Sequence, residues 1–476
     1  MEFDLSKKHC YYFNAISQIP RGSGNEKAVS DYIVAFAKEH GLEYKQDEVW
    51  NVIVDKPASK GYEDAPTLVL QAHTDMVNEK NKGVEHDFEK DPLDLYVDGD
   101  LLRARGTTLG ADDGYGVAYM LAVLDDETLQ HPALSCIFTT MEEIGLLGAG
   151  KLKPEDVHGS RYINLDAGGE VGTYVSSAGG ATAVMTLPVE IEPNEKKAYM
   201  LSIRGLKGGH SGAMIHLELG NANLLLVRAL QELKKNGMDV QMVSFNGGMQ
   251  YNAVPREADA LFVSDDSLED LTEIIRKTET DYKKEYEFSD PDVRLELKET
   301  ESMNRLTEKC SNNFLNFVFL MPDGFKHRSM AIEGLTTSSL NAGVIKTTES
   351  EIVITDLIRS ALESHTDTLA DQLCVLGGLL GWKVDIKDRI TGWGYSAESP
   401  LRDTLKKVLS ERGIEMTEES THGGLECGVF KGLRPDLDII TYGPIAEGEH
   451  TPDEYLDLAS FDRAYDVLCE VIRRAK

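Results

Sequence analysis

Five stretches of this 476-residue chain put metal-ligand side chains where an apolar run ends or a helix opens. Gln71-Ala72-His73-Thr74-Asp75 follows the apolar run 67–70 and sets a histidine and an aspartate two residues apart. Downstream come Ala111-Asp112-Asp113-Gly114, Met141-Glu142-Glu143-Ile144, Leu165-Asp166 and Glu449-His450-Thr451. Neutral imidazole and carboxylate oxygen are ligands for Zn²⁺ and similar divalent ions, and a catalytic site leaves a position open for water. A paired site also needs a carboxylate able to bridge two ions roughly 3.5–4 Å apart. His73, Asp112, Glu143, Asp166 and His450 suffice for this. Asp112 is the bridge, His73 and Asp166 hold one ion, and Glu143 and His450 hold the other. Asp75 then stands behind His73 to accept its second ring N–H. The chemistry permitted is hydrolysis by an activated water. Singly, each piece has a plainer reading: surface turn, solvated helix start, turn-forming aspartate. The order of all five favours a site.

These side chains need a scaffold, and the patterning supplies one. Ser23 and Glu26 read as an S-x-x-E capping box for an apolar-periodic helix over 28–37, stopped by Gly41. A strand is expected over 49–54, and 57–66 is a polar connection. Between 67 and 185, short β-rich runs alternate with helical patterns, the signature of a largely parallel α/β sheet flanked by helices. Strands at 67–70, 134–140 and 162–165 end at His73, Glu142-Glu143 and Asp166, and a helix over 115–124 follows Asp112. Ligands of open α/β sheets sit at the carboxyl ends of strands. From 187 the texture shifts to longer alternating stretches (198–203, 260–263, 351–354) and long amphipathic helices (221–235, 268–284, 367–380). The expected organisation is a catalytic domain over 1–186 and 393–476, interrupted by an inserted α+β domain of lid or dimerisation type over 187–392. In the last part a helix is expected at 401–412, a strand at 437–442 and a closing helix from 460.

Composition narrows the partners. The chain carries 49 basic and 81 acidic residues, a net charge of −32, which repels nucleic acid and anionic membrane. No stretch approaches the ~20 apolar residues of a membrane span, and the first residues lack a secretory pattern. Six scattered cysteines with no CxxC pair fit free thiols in a cytoplasmic protein.

The longer phrases carry a resemblance. QAHTDMV, TLGADDGYGVA, TTMEEIGLLGA, NLDAGG and GEHTPDE resemble, in order and spacing, motifs of the M20 family of zinc peptidases. RGTTLGADDGYG, KGGHSGAMIH, SLNAG and HGGLECG resemble its aminoacyl-histidine dipeptidase branch (Xaa-His or cytosol non-specific dipeptidases), over essentially the whole chain. The resemblance implies a cytosolic metallopeptidase that cuts dipeptides such as β-alanyl-histidine. It assigns His73, Asp112, Glu143, Asp166 and His450 to two divalent ions, Glu142 to the general base and Asp75 to the orienting role. Zn²⁺ suits the set, with Mn²⁺ or Co²⁺ as alternatives. Adjacent side chains diverge, so Glu142 is free of ligation if Glu143 ligates, and can move the water proton to the leaving amine. Asp113 is left with helix N-terminal charge as its role.

His210, in Gly208-Gly209-His210-Ser211-Gly212, is implied to stabilise the oxyanion across a cleft, from its own chain or a partner copy; a turn histidine is the competing reading. Asn252 and Arg359 could bind a substrate carboxylate, Arg by its fork, with surface ion pairing as the competitor for Arg359. His422 and Glu426 receive no firm role, and His216 and His327 are read as structural or exposed. A monomer and a homodimer both remain open, and so do other M20 activities (aminoacylase, carboxypeptidase, tripeptidase). A non-catalytic peptide-binding homologue is disfavoured by Glu142.

Overall fold

A computed structural model describes residues 3–166 and 169–476; Ala167 and Gly168 of the Asn-Leu-Asp-Ala-Gly-Gly phrase lie outside them. The chain divides into two units. The first comprises Met1–Ser177, Trp393–Ser420 and Leu425–Lys476, and the second Ala178–Gly392 with Thr421–Gly424.

The first unit is built on a six-stranded sheet: β1 (Glu43–Gln46), β2 (Val52–Lys56), β3 (Leu68–His73), β4 (Leu134–Thr139), β5 (Arg161–Asn164) and β6 (Asp438–Thr441). Their order is β1-β2-β4-β3-β5-β6. The β4-β3, β3-β5 and β5-β6 pairs are parallel, whereas β1-β2 and β2-β4 are antiparallel. Alternation explains why both faces are covered. Leu68, Leu70, Leu134, Cys136, Phe138, Ile163 and Ile440 join one core with helices α1 (Lys8–Ser17), α2 (Lys27–Glu39) and α3 (Ala111–Asp125). The intervening Val69, Ile137, Tyr162 and Ile439 join a second core with Trp393 and Phe430. Strands buried on both faces read as continuous apolar runs, which is why 67–70 and 134–140 were visible in the sequence.

Register then places the site. His73 pairs with Thr139 and Gln71 with Asn164, so Glu142-Glu143 and Asp166 emerge just past strand ends level with His73. A small four-stranded sheet aligns Tyr455–Asp457 with Leu101–Ala104 and carries the loop of His450 and Glu454.

Two expectations are corrected. Ser23 and Glu26 form no capping box: α2 opens at Lys27 without a side-chain cap. Ser23 Oγ donates instead to Asp75, and Glu26 accepts the Met141 N–H at 2.9 Å. The inserted part also begins earlier than 187. The strand Gly179–Pro188 pairs along its whole length with Glu351–Ser360, so it belongs to the second unit.

The second unit is a ten-stranded sheet. Its core packs helices Ala222–Lys235, Leu268–Glu285, Glu308–Leu320 and Glu363–Leu380 against the strands. Among the described residues, no helix is long and apolar enough to cross a membrane. All six cysteines are free thiols, Cys374 alone being exposed.

Candidate metal centre

Asp112 sits where the chain enters α3, and regular helical backbone begins only after Asp113. Its two oxygens part company. Oδ1 lies 2.9 Å from His73 Nε2, and Oδ2 lies 3.3 Å from His450 Nε2. His450 Nε2 is also 3.0 Å from Glu143 Oε1, and His73 Nε2 is 3.8 Å from Asp166 Oδ1. An ion bound tetrahedrally at about 2.0–2.1 Å holds its donor atoms about 3.3 Å apart. The observed spacings bracket that value, so the donor set fits two divalent ions sharing Asp112. The groups Asp112-Glu143-His450, His73-Asp113-Asp166 and His73-Glu142-Glu143 each bring ligand atoms within 4.8 Å of one another.

Asp113 is the competitor for the bridge, and its hydrogen bonds tell against it. One oxygen accepts the His73 N–H at 3.1 Å and the other the Gly116 N–H at 3.2 Å. It therefore ties the end of β3 to the first turn of α3, which goes beyond the helix-terminal charge expected. Asp75 is equally tied. It accepts the N–H groups of Glu142 (3.0 Å) and Glu143 (3.2 Å) and the Ser23 hydroxyl (2.8 Å). His73 Nδ1 lies 3.4 Å from Asp75 Oδ1 and, among the described residues, has no closer acceptor. One buried carboxylate thus stands behind the His73 ring and also anchors the Glu142-Glu143 loop. Met141 and His450 itself adopt left-handed backbone (φ 52° and 62°), a strain that the surrounding contacts sustain.

Glu142 and Glu143 are closer together than the divergence of neighbours implies, since an oxygen of each lies within 4.8 Å of the other and of His73. Their partners differ, however. Glu143 meets His450, whereas the Glu142 carboxylate accepts no hydrogen bond among the described residues.

Crowded, partly buried acidic groups dominate the electrostatics of this donor set. Burial, then the Asp112 charge, pushes Asp166 well above the usual carboxylate range. Burial raises Glu142 to about 8, with Glu426 and Glu143 adding to it, and raises Glu449 to about 7. Hydrogen bonds to Asp112 and Glu143 push His450 up to about 10. Burial opposes charge on His73, but Asp112, Asp166 and Asp75 outweigh it and hold the ring well above its ordinary value.

The sign of the pH dependence follows. Carboxyls raised in the fold keep protons that the unfolded chain has released. They favour the ion-free fold at low pH, and that advantage disappears as pH climbs through about 7 to 8. His450 acts the same way, its contribution fading as pH rises toward about 10. Chelator-treated protein is therefore expected to melt at progressively lower temperature between about pH 6 and 9, and bound Zn²⁺ to remove most of that slope. A flat ion-free profile in differential scanning fluorimetry would contradict this electrostatic picture.

Glu426, given no role from the sequence, is fully buried in the first unit. Its Oε2 accepts from Gln71 Nε2 (2.5 Å) and Thr139 Oγ1 (2.9 Å), bracing the two central strands beneath the ligands. Sequence reasoning missed Arg21 and Glu454, both 2 % exposed. Glu454 closes the GEHTPDE phrase, the one available signal; a lone arginine in Ile-Pro-Arg gave none.

The second unit holds its own polar cluster. His210 is exposed at the end of a two-residue bridge with Ala253. Its Nδ1 accepts the N–H groups of Gly212 (3.2 Å) and Ala213 (3.0 Å), so the neutral ring carries its proton on Nε2. Burial and the Arg359 charge lower its pKa, which keeps it neutral. Asn252 accepts the Ser211 N–H through its carbonyl, and Asn341 holds the same turn by donating to the Tyr251 (2.8 Å) and Ala253 (2.9 Å) carbonyls. Arg359 makes no ion pair among the described residues and its Nε is buried without a partner, so the surface ion-pair reading fails. His422 is buried, with Nε2 2.7 Å from Ser339 Oγ; burial and the Arg359 charge lower it to about 3. His216 and His327 are exposed.

Comparison with known proteins agrees with this architecture. The chain is 37% identical over 470 residues to the cytosol non-specific dipeptidase of Escherichia coli (strain K12), covering 97% of this chain and 96% of that one. Its structure resembles aminoacylhistidine dipeptidase from Vibrio alginolyticus with a TM-score of 0.91 at 32% identity, over 98% and 96% of the two chains. Aminopeptidase PepT from Bacillus cereus shares the fold over the full length of both chains, with a TM-score of 0.58 at 14% identity. Residues 69–474 match peptidase family M20/M25/M40, and the chain belongs to that family.

Proposed function

We propose that this protein is a metal-dependent dipeptidase that cuts Xaa-His and related dipeptides, with two divalent ions, Zn²⁺ foremost, shared across Asp112. The observation that carries the reading is the division of the Asp112 carboxylate between His73 and His450, with Glu142 unengaged beside them. The dipeptidase names of the relatives over nearly the whole chain support the substrate class. His73 and Asp166 would hold one ion, Glu143 and His450 the other. Bound there, the ions supply Lewis acidity toward water and the scissile carbonyl. Glu142 takes the proton from the attacking water and returns it to the leaving amine. Asp75 keeps the His73 ring and the Glu142 loop in place.

In the second unit, His210 offers an Nε2–H suited to a developing oxyanion. Asn252 and the unpaired Arg359 are read as the substrate-binding side, the guanidinium taking the terminal carboxylate. Arg359→Met is expected to raise KM roughly 10–10²-fold, since a hydrogen bond to a charged group contributes about 1.5–3 kcal/mol. Steady-state kinetics on β-alanyl-histidine checks this, and an unchanged KM would remove Arg359 from the site.

The function itself is tested by a substrate panel of β-alanyl-histidine and other dipeptides, set against tripeptides, N-acetyl amino acids and longer peptides, with metal analysis of the same preparation. Strong deacylation or tripeptide cleavage without dipeptide turnover would replace the dipeptidase reading by another M20 activity. Free thiols support a cytoplasmic setting. A second copy as partner is supported by the exposed Val375 and Leu379 of helix Glu363–Leu380; light scattering decides it.

A further inference from the structure

Two buried, oppositely charged residues grip the segment that carries the bridging carboxylate, and neither belongs to the ligand set. Both oxygens of Glu454 are occupied by four consecutive backbone N–H groups. Oε2 accepts from Leu109 (2.7 Å) and Gly110 (2.9 Å), and Oε1 from Ala111 (2.8 Å) and Asp112 (3.3 Å). From the other side, Arg21 Nη1 donates to the carbonyls of Thr74 and Asp75 at 3.0 Å each, and Nη2 donates to the carbonyl of Gly110. The guanidinium therefore fastens the chain just past His73 to the chain just before Asp112. Gly110 shows how tight this is: it is left-handed (φ 64°), and a Cβ there would stand 2.6 Å from Arg21 Nη2. Glu454 also lies four residues beyond His450, on the loop that delivers that ligand.

We propose that Arg21 and Glu454 are positioning residues that hold the Asp112 carboxylate midway between His73 and His450. In this way they set the affinity for the ions without touching either. The physical case rests on what the segment would do without them. The four N–H groups at 109–112 precede the regular part of α3 and have no helical acceptors; Glu454 accepts all four, and Arg21 holds the Gly110 carbonyl between them. Asp112 must keep one oxygen toward each imidazole, and a small rotation of its backbone moves both at once. A ligand on the His450 loop and a brace on the same loop close together, so that seating His450 and aiming Asp112 are one event. Four N–H groups also explain how a carboxylate is tolerated here at 2 % exposure.

This inference rests on the two-ion reading above, and the experiment separates the two. Glu454→Gln keeps the shape but turns an amide NH₂ toward backbone donors. Arg21→Lys keeps the charge and loses the fork. Each variant and the wild type are stripped of ions, melted, and titrated with Zn²⁺ by calorimetry, and kcat and KM for a dipeptide are then measured at saturating Zn²⁺. The expected result is a folded protein whose ion-free melting temperature is lowered in Glu454→Gln, where an amide faces buried N–H groups, and whose Zn²⁺ affinity is weakened ~10–10²-fold, as for residues that support ligands. With it should come a fall in kcat at nearly constant KM. Wild-type affinities for both ions in a folded variant would overturn the proposal, as would a lowered melting temperature with unchanged ion affinities, which marks a merely structural role. If the Gln variant does not fold, Arg21→Lys carries the same measurements. Wild-type protein that takes up fewer than two ions would sink the two-ion reading itself, a failure distinct from that of the brace.

Discussion

The Glu142→Ala protein is expected to keep its divalent ions while hydrolysing dipeptides at least ~10²-fold more slowly, the scale of a general acid–base group. Ion content should survive because the contacts that bring the ligands together are Asp112 with His73 and His450, and Glu143 with His450; none passes through Glu142. Turnover should fall because the Glu142 carboxylate accepts no hydrogen bond among the described residues and stands beside His73 and Glu143, free to carry a proton. Its closeness to His73 and Glu143 makes the measurement discriminating, since one Glu142 oxygen falls within ligand range of both. Elemental analysis beside a dipeptide assay separates the cases. Loss of an ion together with activity would make Glu142 a ligand, and unchanged turnover would take the base assignment away altogether.

What the sequence revealed and what it hid divide along a physical line. His73, Asp112, Glu143, Asp166 and His450 were legible because each ends a strand, opens a helix or sits in a marked loop. Apolar alternation along residues 68–73 and 134–139 dictates where those strands stop. Their ends converge because parallel pairing puts all carboxyl termini on one edge. Arg21, Asp113 and Glu454 were not legible because their partners are backbone carbonyls and amides, which every residue has. Only the folded chain decides which of those groups are left over. Ser23 and Glu26 show the converse. Their spacing satisfies a local rule, yet Asp75 and Met141 offer them tertiary partners, and the helix starts uncapped. The junction near 178 escaped because Gly179–Pro188 looks like one more strand of the first texture. Its ten-residue pairing with Glu351–Ser360 is a long-range fact.

The bridge assignment is the point at which two adjacent aspartates must be told apart, and a pair of variants does so. Asp112→Asn is expected to abolish binding of at least one ion and to cut activity by ~10³-fold or more. Metal catalysis contributes several kcal/mol of charge stabilisation, and about 1.36 kcal/mol is a factor of ten. Asparagine keeps the size of the side chain but offers a single acceptor oxygen and no charge, whereas both Asp112 oxygens are used, one toward each imidazole. Asp113→Asn should behave differently. That carboxyl accepts the N–H groups of His73 and Gly116, so its amide leaves one buried donor facing another donor. The expected outcome is a lower melting temperature with both ions still bound and kcat reduced less than for Asp112→Asn. Elemental analysis, thermal melts and the dipeptide assay on the two variants give three independent comparisons. If Asp113→Asn strips the ions while Asp112→Asn retains them, the bridge moves one residue along the chain. The closeness of an Asp113 oxygen to His73 and Asp166, within 4.8 Å, would then be its cause.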